Sequence, residues 1–129
     1  MASLLGWALM PNEDAYYPQL VIKEAECTAI HFPKPPVQYE KSGYWSFTAY
    51  GLDGYLHNDN SVLSYYAAKP NADGSYTVYV GNTEECKTKG NNLDMPAGGA
   101  SITLRLYRPV SIDEAKEFEA EFKSKNKNK

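Results

Sequence analysis

Residues 43–56 constrain this chain more than any other stretch. Trp45, Phe47 and Ala49 alternate with Tyr44, Ser46, Thr48 and Tyr50. Successive strand side chains point to opposite faces, so this period of two predicts a strand with one apolar face and one face carrying hydroxyls. Leu52-Asp53-Gly54 follows with a pair suited to positive φ, and the chain is expected to turn back tightly into Tyr55 and Leu56. The fold expected around such a segment is all-β.

The same period recurs downstream. Tyr76, Val78 and Val80 alternate with Thr77 and Tyr79, while Ile102, Leu104 and Leu106 alternate with Ser101, Thr103, Arg105 and Tyr107, which predicts two more strands with their aliphatic rows facing inward. Cys27 to Phe32 reads as a strand that Pro33, Pro35 and Pro36 terminate by removing backbone donors. Leu20-Val21-Ile22 is a brief extended piece, and Val62 to Tyr66 a short strand or irregular apolar segment. His57 to Ser61, Asn71 to Ser75 and Pro96 to Ala100 carry turn chemistry. The polar stretch from Thr83 to Met95 reads as a long surface loop.

Two helical signals stand at the ends. Asn12 to Ala15 has capping and acidic first-turn character, so a short helix is expected to run into Tyr16 and Tyr17 and stop at Pro18; Leu4 to Met10 reads as a helical turn or strand docking Trp7. Near the other end, Ser111-Ile112-Asp113-Glu114 has the form of a capping box, and Ile112, Ala115, Phe118 and Phe122 share one helical face. A C-terminal α-helix over about 111–122 follows. Residues 123–129, four of them lysines and none apolar, are expected to be a disordered tail. A length of 129 residues fits one domain, over 1–122.

Composition narrows the partners. Eleven tyrosines against four phenylalanines favour sheet faces that are only partly covered, and a net charge of -3 gives no field for nucleic acid or an acidic membrane. Cys27 and Cys86 are too few for a disulfide framework and read as free thiols in a reducing compartment. With no basic flank or cleavage site beside Leu4 to Met10 and no membrane-length apolar run, a cytoplasmic location is expected.

Several segments, in order, resemble the family called domain of unknown function 1214. They are His31-Phe32-Pro33 with Pro35-Pro36-Val37, Tyr44-Trp45-Ser46-Phe47-Thr48 with Tyr50, Asp53-Gly54-Tyr55-Leu56, Tyr65, and Asn71-Ala72-Asp73-Gly74-Ser75. Tyr79, Asn91, Leu93, Pro96-Ala97-Gly98 and Leu104-Arg105-Leu106-Tyr107 with Pro109 complete the series. The resemblance implies a jelly-roll-like β-sandwich of antiparallel strands, no agreed biochemical activity, and a stand-alone domain lacking the usual N-terminal partner domain. Asn92 stands where the family tends to have Trp, and Asp94-Met95 replaces a more proline-rich pair.

No nucleophile elbow, phosphate loop or dinucleotide fingerprint occurs. His31, His57 and Asp59 fall short of the dense histidine cluster a metal site needs, so no metal and no cofactor are expected. The leading expectation is a non-catalytic module that binds a small molecule or a protein partner through a tyrosine-rich sheet face, with Tyr50, His57, Asp59, Tyr79, Arg105 and Tyr107 as candidate contacts. The alternative is an enzyme, a hydrolase for instance, with a pocket around His57, Asp59 and Arg105. A third reading is assembly, with Phe118 and Phe122 packing the C-terminal helix across a two-fold axis in a homo-oligomer.

Overall fold

The computed structural model describes residues 15–129, and the expectation placed on Leu4 to Met10 lies outside them. The chain forms β1 (Ala15–Tyr16), β2 (Gln19–Ile22), β3 (Cys27–Phe32), β4 (Tyr44–Tyr50), β5 (Val62–Ser64) and β6 (Tyr76–Gly81). It continues through α1 (Glu84–Thr88), β7 (Asn92–Leu93), β8 (Ala100–Tyr107) and α2 (Ile112–Lys125). One sheet runs β1-β8-β4-β5, with β2 also on β8; the other runs β3-β6-β7. The fold is mostly β, with two sheets and a C-terminal helix. Every described pair is antiparallel except β6 with β7, which is parallel, contrary to the expected all-antiparallel arrangement.

The alternating aliphatic and aromatic rows seal a shared interior. Phe47, Val78 and Leu104, from three strands and both sheets, are fully buried in one cluster. At its centre the Phe32 ring lies edge-on to Trp45 at 5.6 Å and parallel to Phe47 at 5.9 Å and Tyr76 at 5.7 Å. Such ring pairs add to the hydrophobic burial that drives two sheets together. α2 closes one side: Ala115, Phe118 and Phe122 are buried, and both phenylalanines meet Phe32 edge-on. The two rings expected to meet a second copy therefore fill this chain's own core.

Four further expectations are corrected. Ala15 and Tyr16 are strand, not helix: they pair with Tyr107 and Leu106, and the Tyr16 hydroxyl donates to Glu119 at 2.7 Å. Long-range pairing outweighs the local capping signal. The stretch from Thr83 to Met95 is not a structureless loop. Thr83 caps α1 by accepting from the Cys86 amide, and the Asn92 side chain donates to the Tyr79 and Gly81 carbonyls.

The tail is likewise ordered. α2 continues to Lys125, and buried Asn126 donates to the His31 carbonyl at 2.7 Å while accepting from the His31 amide at 2.9 Å. β3 has a partner on one side only, and the Asn126 amide serves its open edge as a strand would. Lys129 donates from its ammonium to the Ala29 carbonyl, and its main-chain oxygen accepts from the Lys23 amide.

The cysteines are also not free. Cys27 and Cys86 are joined in a disulfide across a Cα–Cα distance of 5.6 Å. The bond ties the start of β3 to α1 and closes a loop spanning 59 residues of sequence separation. The inference of a reducing compartment, which rested on free thiols, loses its ground. No described helix is long and apolar enough to cross a membrane.

Candidate functional site

β4 and β8 present their second face away from the core, and their register orders it into rows. Tyr44 lies opposite Tyr107, Ser46 opposite Arg105, Thr48 opposite Thr103, and Tyr50 opposite Ser101. β2 and β5 extend these rows, with Gln19 beside Thr103, Val21 beside Ser101, and Val62 beside Thr48.

This face is not the open, wet surface that alternation alone suggests: Tyr50 is 5% exposed, and Thr48 and Thr103 are each 1%. The register shows one cause. Arg105 donates to the Tyr50 hydroxyl two rows away, and its guanidinium lies 5.9 Å from the Tyr50 ring centroid. That diagonal contact passes over the Thr48–Thr103 row. Among the described residues no carboxylate is within salt-bridge reach of Arg105.

Beyond Arg105 the tyrosines form a continuous run. Tyr107 stacks on Tyr44 at 5.5 Å and meets Tyr17 edge-on at 6.4 Å, and Tyr44 contacts Tyr66 at 5.7 Å. Desolvation raises the Tyr17 phenol above its ordinary value. Tyr16, at the edge of the same sheet, is pushed up to about 12 by burial and by its bond to Glu119.

The structure therefore joins Tyr50, Arg105 and Tyr107 on one sheet face, as the sequence suggested, and parts them from Tyr79. Tyr79 belongs to the other sheet, between Ala29 and Asn92, with the Lys89 ammonium 5.6 Å from its ring centroid. His57 is bonded through Nε2 to both oxygens of Asp53, at 2.9 and 3.0 Å, in the exposed loop after β4. That bond, together with the Tyr55 amide, holds the Asp53 carboxyl below the usual carboxylate range. Gly51 makes room for the imidazole, because a Cβ there would stand 2.5 Å from the ring. Asp59 lies farther along, exposed. Among the described residues no three His, Cys, Asp or Glu side chains gather as a metal site would require.

Sequence reasoning missed a groove of about 560 Å³ between the proline loop, the Asn71–Ser75 turn and α2, lined by residues including His31, Asp73, Ser75 and Lys125. Beside it the Asn71 amide donates at 3.1 Å to both the Ser75 and Thr77 hydroxyls. Ser75 in turn donates to Asp73 at 2.6 Å, and the Thr77 hydroxyl lies 2.8 Å from His31 Nδ1. The Ser75 bonds hold the Asp73 carboxyl below its ordinary range. The same His31 Nδ1 lies 3.4 Å from the Tyr76 carbonyl, so the imidazole is held between a hydroxyl and a main-chain oxygen. The only signal in the sequence was turn chemistry at Asn71 to Ser75; that His31 would lie beside it depends on β3 pairing with β6.

The family model described as a protein of unknown function (DUF1214) matches residues 21–111. The chain belongs to the DUF1214 family. Two solved structures share the fold. The VPA0106 protein from Vibrio parahaemolyticus matches with a TM-score of 0.65 and 22% identity, over 83% of this chain and 29% of that one. An uncharacterised protein from Burkholderia cenocepacia matches with a TM-score of 0.65 and 19% identity, over 86% of this chain and 31% of that one. This DUF1214 chain thus spans about three-tenths of the length of either relative. No curated protein matches it.

Proposed function

We propose that this DUF1214 chain is a non-catalytic binding module that docks a protein partner on the outer face of its larger sheet. One observation carries the reading. Of the seven large hydrophobic side chains exposed among the described residues, six lie on this face or at its end. Val21 and Val62 project from it by register, and the Tyr66 ring rests against Tyr44. Leu52, Tyr55 and Leu56 occupy the loop that leaves β4 directly after Tyr50.

Grouped apolar side chains around a rim of tyrosine and arginine match the composition of protein interfaces, where aromatic and arginine anchors dominate. A macromolecular surface, rather than a small enclosed ligand, suits side chains spread over a broad face. The two solved relatives support this in one further respect: each carries the same fold as a minor part of a much longer chain, so a module of this kind has other protein to pack against.

A photocrosslinking amino acid in place of Tyr66 tests the proposal, with the same probe in place of exposed Lys87 on α1 as the control. The expected result is light-dependent protein adducts at position 66 that are absent at position 87. Equal adduct yields at the two positions would sink the proposal.

A further inference from the structure

The outer face holds a chemical demand that its own residues leave unmet. Among the described residues, the Thr48 and Thr103 hydroxyls and the Gln19 side-chain nitrogen are three of five buried side-chain atoms with no hydrogen-bond partner. These three are not scattered. The register sets Gln19 beside Thr103 and Thr103 beside Thr48, one row across β2, β8 and β4. Adjacent strands stand about 4.8 Å apart, so the row covers roughly 10 Å. Arg105 crosses over the same row toward Tyr50.

Buried polar atoms without partners cost free energy, and native structures keep few of them. Three in one row beneath an arginine mark a place built to be completed. The groups on offer are donors: an amide NH₂, two hydroxyls free to point either way, and a guanidinium with a fixed fork of N–H bonds. The group that takes several such donors at once is a carboxylate, which has two oxygens, several lone pairs and the negative charge that no described residue brings to Arg105. We infer that Gln19, Thr48, Thr103 and Arg105 form a carboxylate-binding site, entered beside the half-buried Arg105 side chain. The inference shares its face with the proposed docking surface and names the chemistry recognised there. It stands whether the carboxylate belongs to a glutamate or aspartate of the docked protein or to a small free acid.

The test is an NMR titration of the whole chain with sodium acetate, against sodium chloride at matched ionic strength, following the Arg105 Nε–H and the Thr48 and Thr103 methyl groups. Saturating shifts with acetate and not with chloride are expected. Arg105→Lys should weaken acetate binding about tenfold, because an ammonium cannot reproduce the bidentate fork. Thr103→Val, which keeps the shape and so the fold, should weaken it by a smaller factor. Shifts that fail to saturate, that chloride reproduces, or that Arg105→Lys leaves unchanged would overturn the inference and leave the row satisfied by water alone. A second titration uses glutamate blocked at both backbone ends. Tighter binding than acetate assigns the site to a side chain of the partner, and equal or weaker binding assigns it to a small free acid; either result supports a carboxylate site. Acetate binding together with failed crosslinking at position 66 would refute the docking surface and leave this site standing.

Discussion

β4 and β8 carry two faces built from the same backbone, and the faces are put to different uses. Inward, Phe47, Ala49, Ile102, Leu104 and Leu106 are fully buried apolar side chains that need only one another, and Trp45, buried beside them, keeps a single indole N–H without a partner among the described residues. Outward, Thr48 and Thr103 are just as hidden yet keep hydroxyls without partners, and Arg105 is held by a phenol. Burial alone therefore does not separate a stabilising position from a binding one. What sets the outer face apart is that its unsatisfied buried groups stand side by side in one row, Gln19, Thr103 and Thr48, whereas the core holds the isolated indole of Trp45.

The contrast can be broken most forcefully from the inner side. Phe47→Ala should lower the unfolding free energy by about 3–5 kcal/mol in chemical denaturation, through lost burial and the cavity left among Phe32, Leu63 and Leu104. A loss below about 1 kcal/mol would mean that this face is not the core. The smaller sheet offers the next largest effect, since its first strand is stapled rather than packed on both sides. Replacing Cys27 and Cys86 by alanine together should cost about 2–4 kcal/mol, and reducing agent should lower the melting temperature of the parent but not of the double variant.

The outer face should respond with the opposite sign. Thr103→Val removes an unpartnered buried hydroxyl at nearly constant volume, so the isolated chain should gain about 1 kcal/mol, while acetate affinity falls. A loss of stability would show that the hydroxyl is bonded within the fold, and the distinction between the faces would narrow. The smallest effect is a pH dependence at the sheet edge. Tyr16 has its phenol raised to about 12 in the fold, so the unfolded chain gives up that proton first as pH climbs. The stabilisation is whole below the ordinary tyrosine value near 10 and is lost as pH rises toward 12. Tyr16→Phe should flatten that part of a stability-against-pH curve.

The inner face was legible in the sequence, because period-two alternation at Trp45-Phe47-Ala49 and Ile102-Leu104-Leu106 needs nothing but strand geometry to be read. The outer face was read only halfway. Alternation placed Tyr50, Arg105 and Tyr107 together, but it could not say that Arg105 would reach two rows to Tyr50 and cover the threonines. Asn126 and the disulfide escaped for a related reason. A polar tail and two distant cysteines carry no local pattern, and their partners, the open edge at His31 and the start of β3, are set by topology. His57 shows the converse: its true partner, Asp53, stood four residues away, while the carboxylate considered for it was Asp59.

Two neighbours on β5 allow the most direct test. Val62 points out and is exposed, and Leu63 points in against Phe47. The measurement is the yield of light-dependent adduct from a crosslinker at position 66, taken beside the melting temperature, in Val62→Asp and Leu63→Ala. An outer face devoted to docking predicts that Val62→Asp loses most of the adduct with its melting temperature unchanged, whereas Leu63→Ala melts lower and still crosslinks when folded. Full adduct yield from folded Val62→Asp would contradict it.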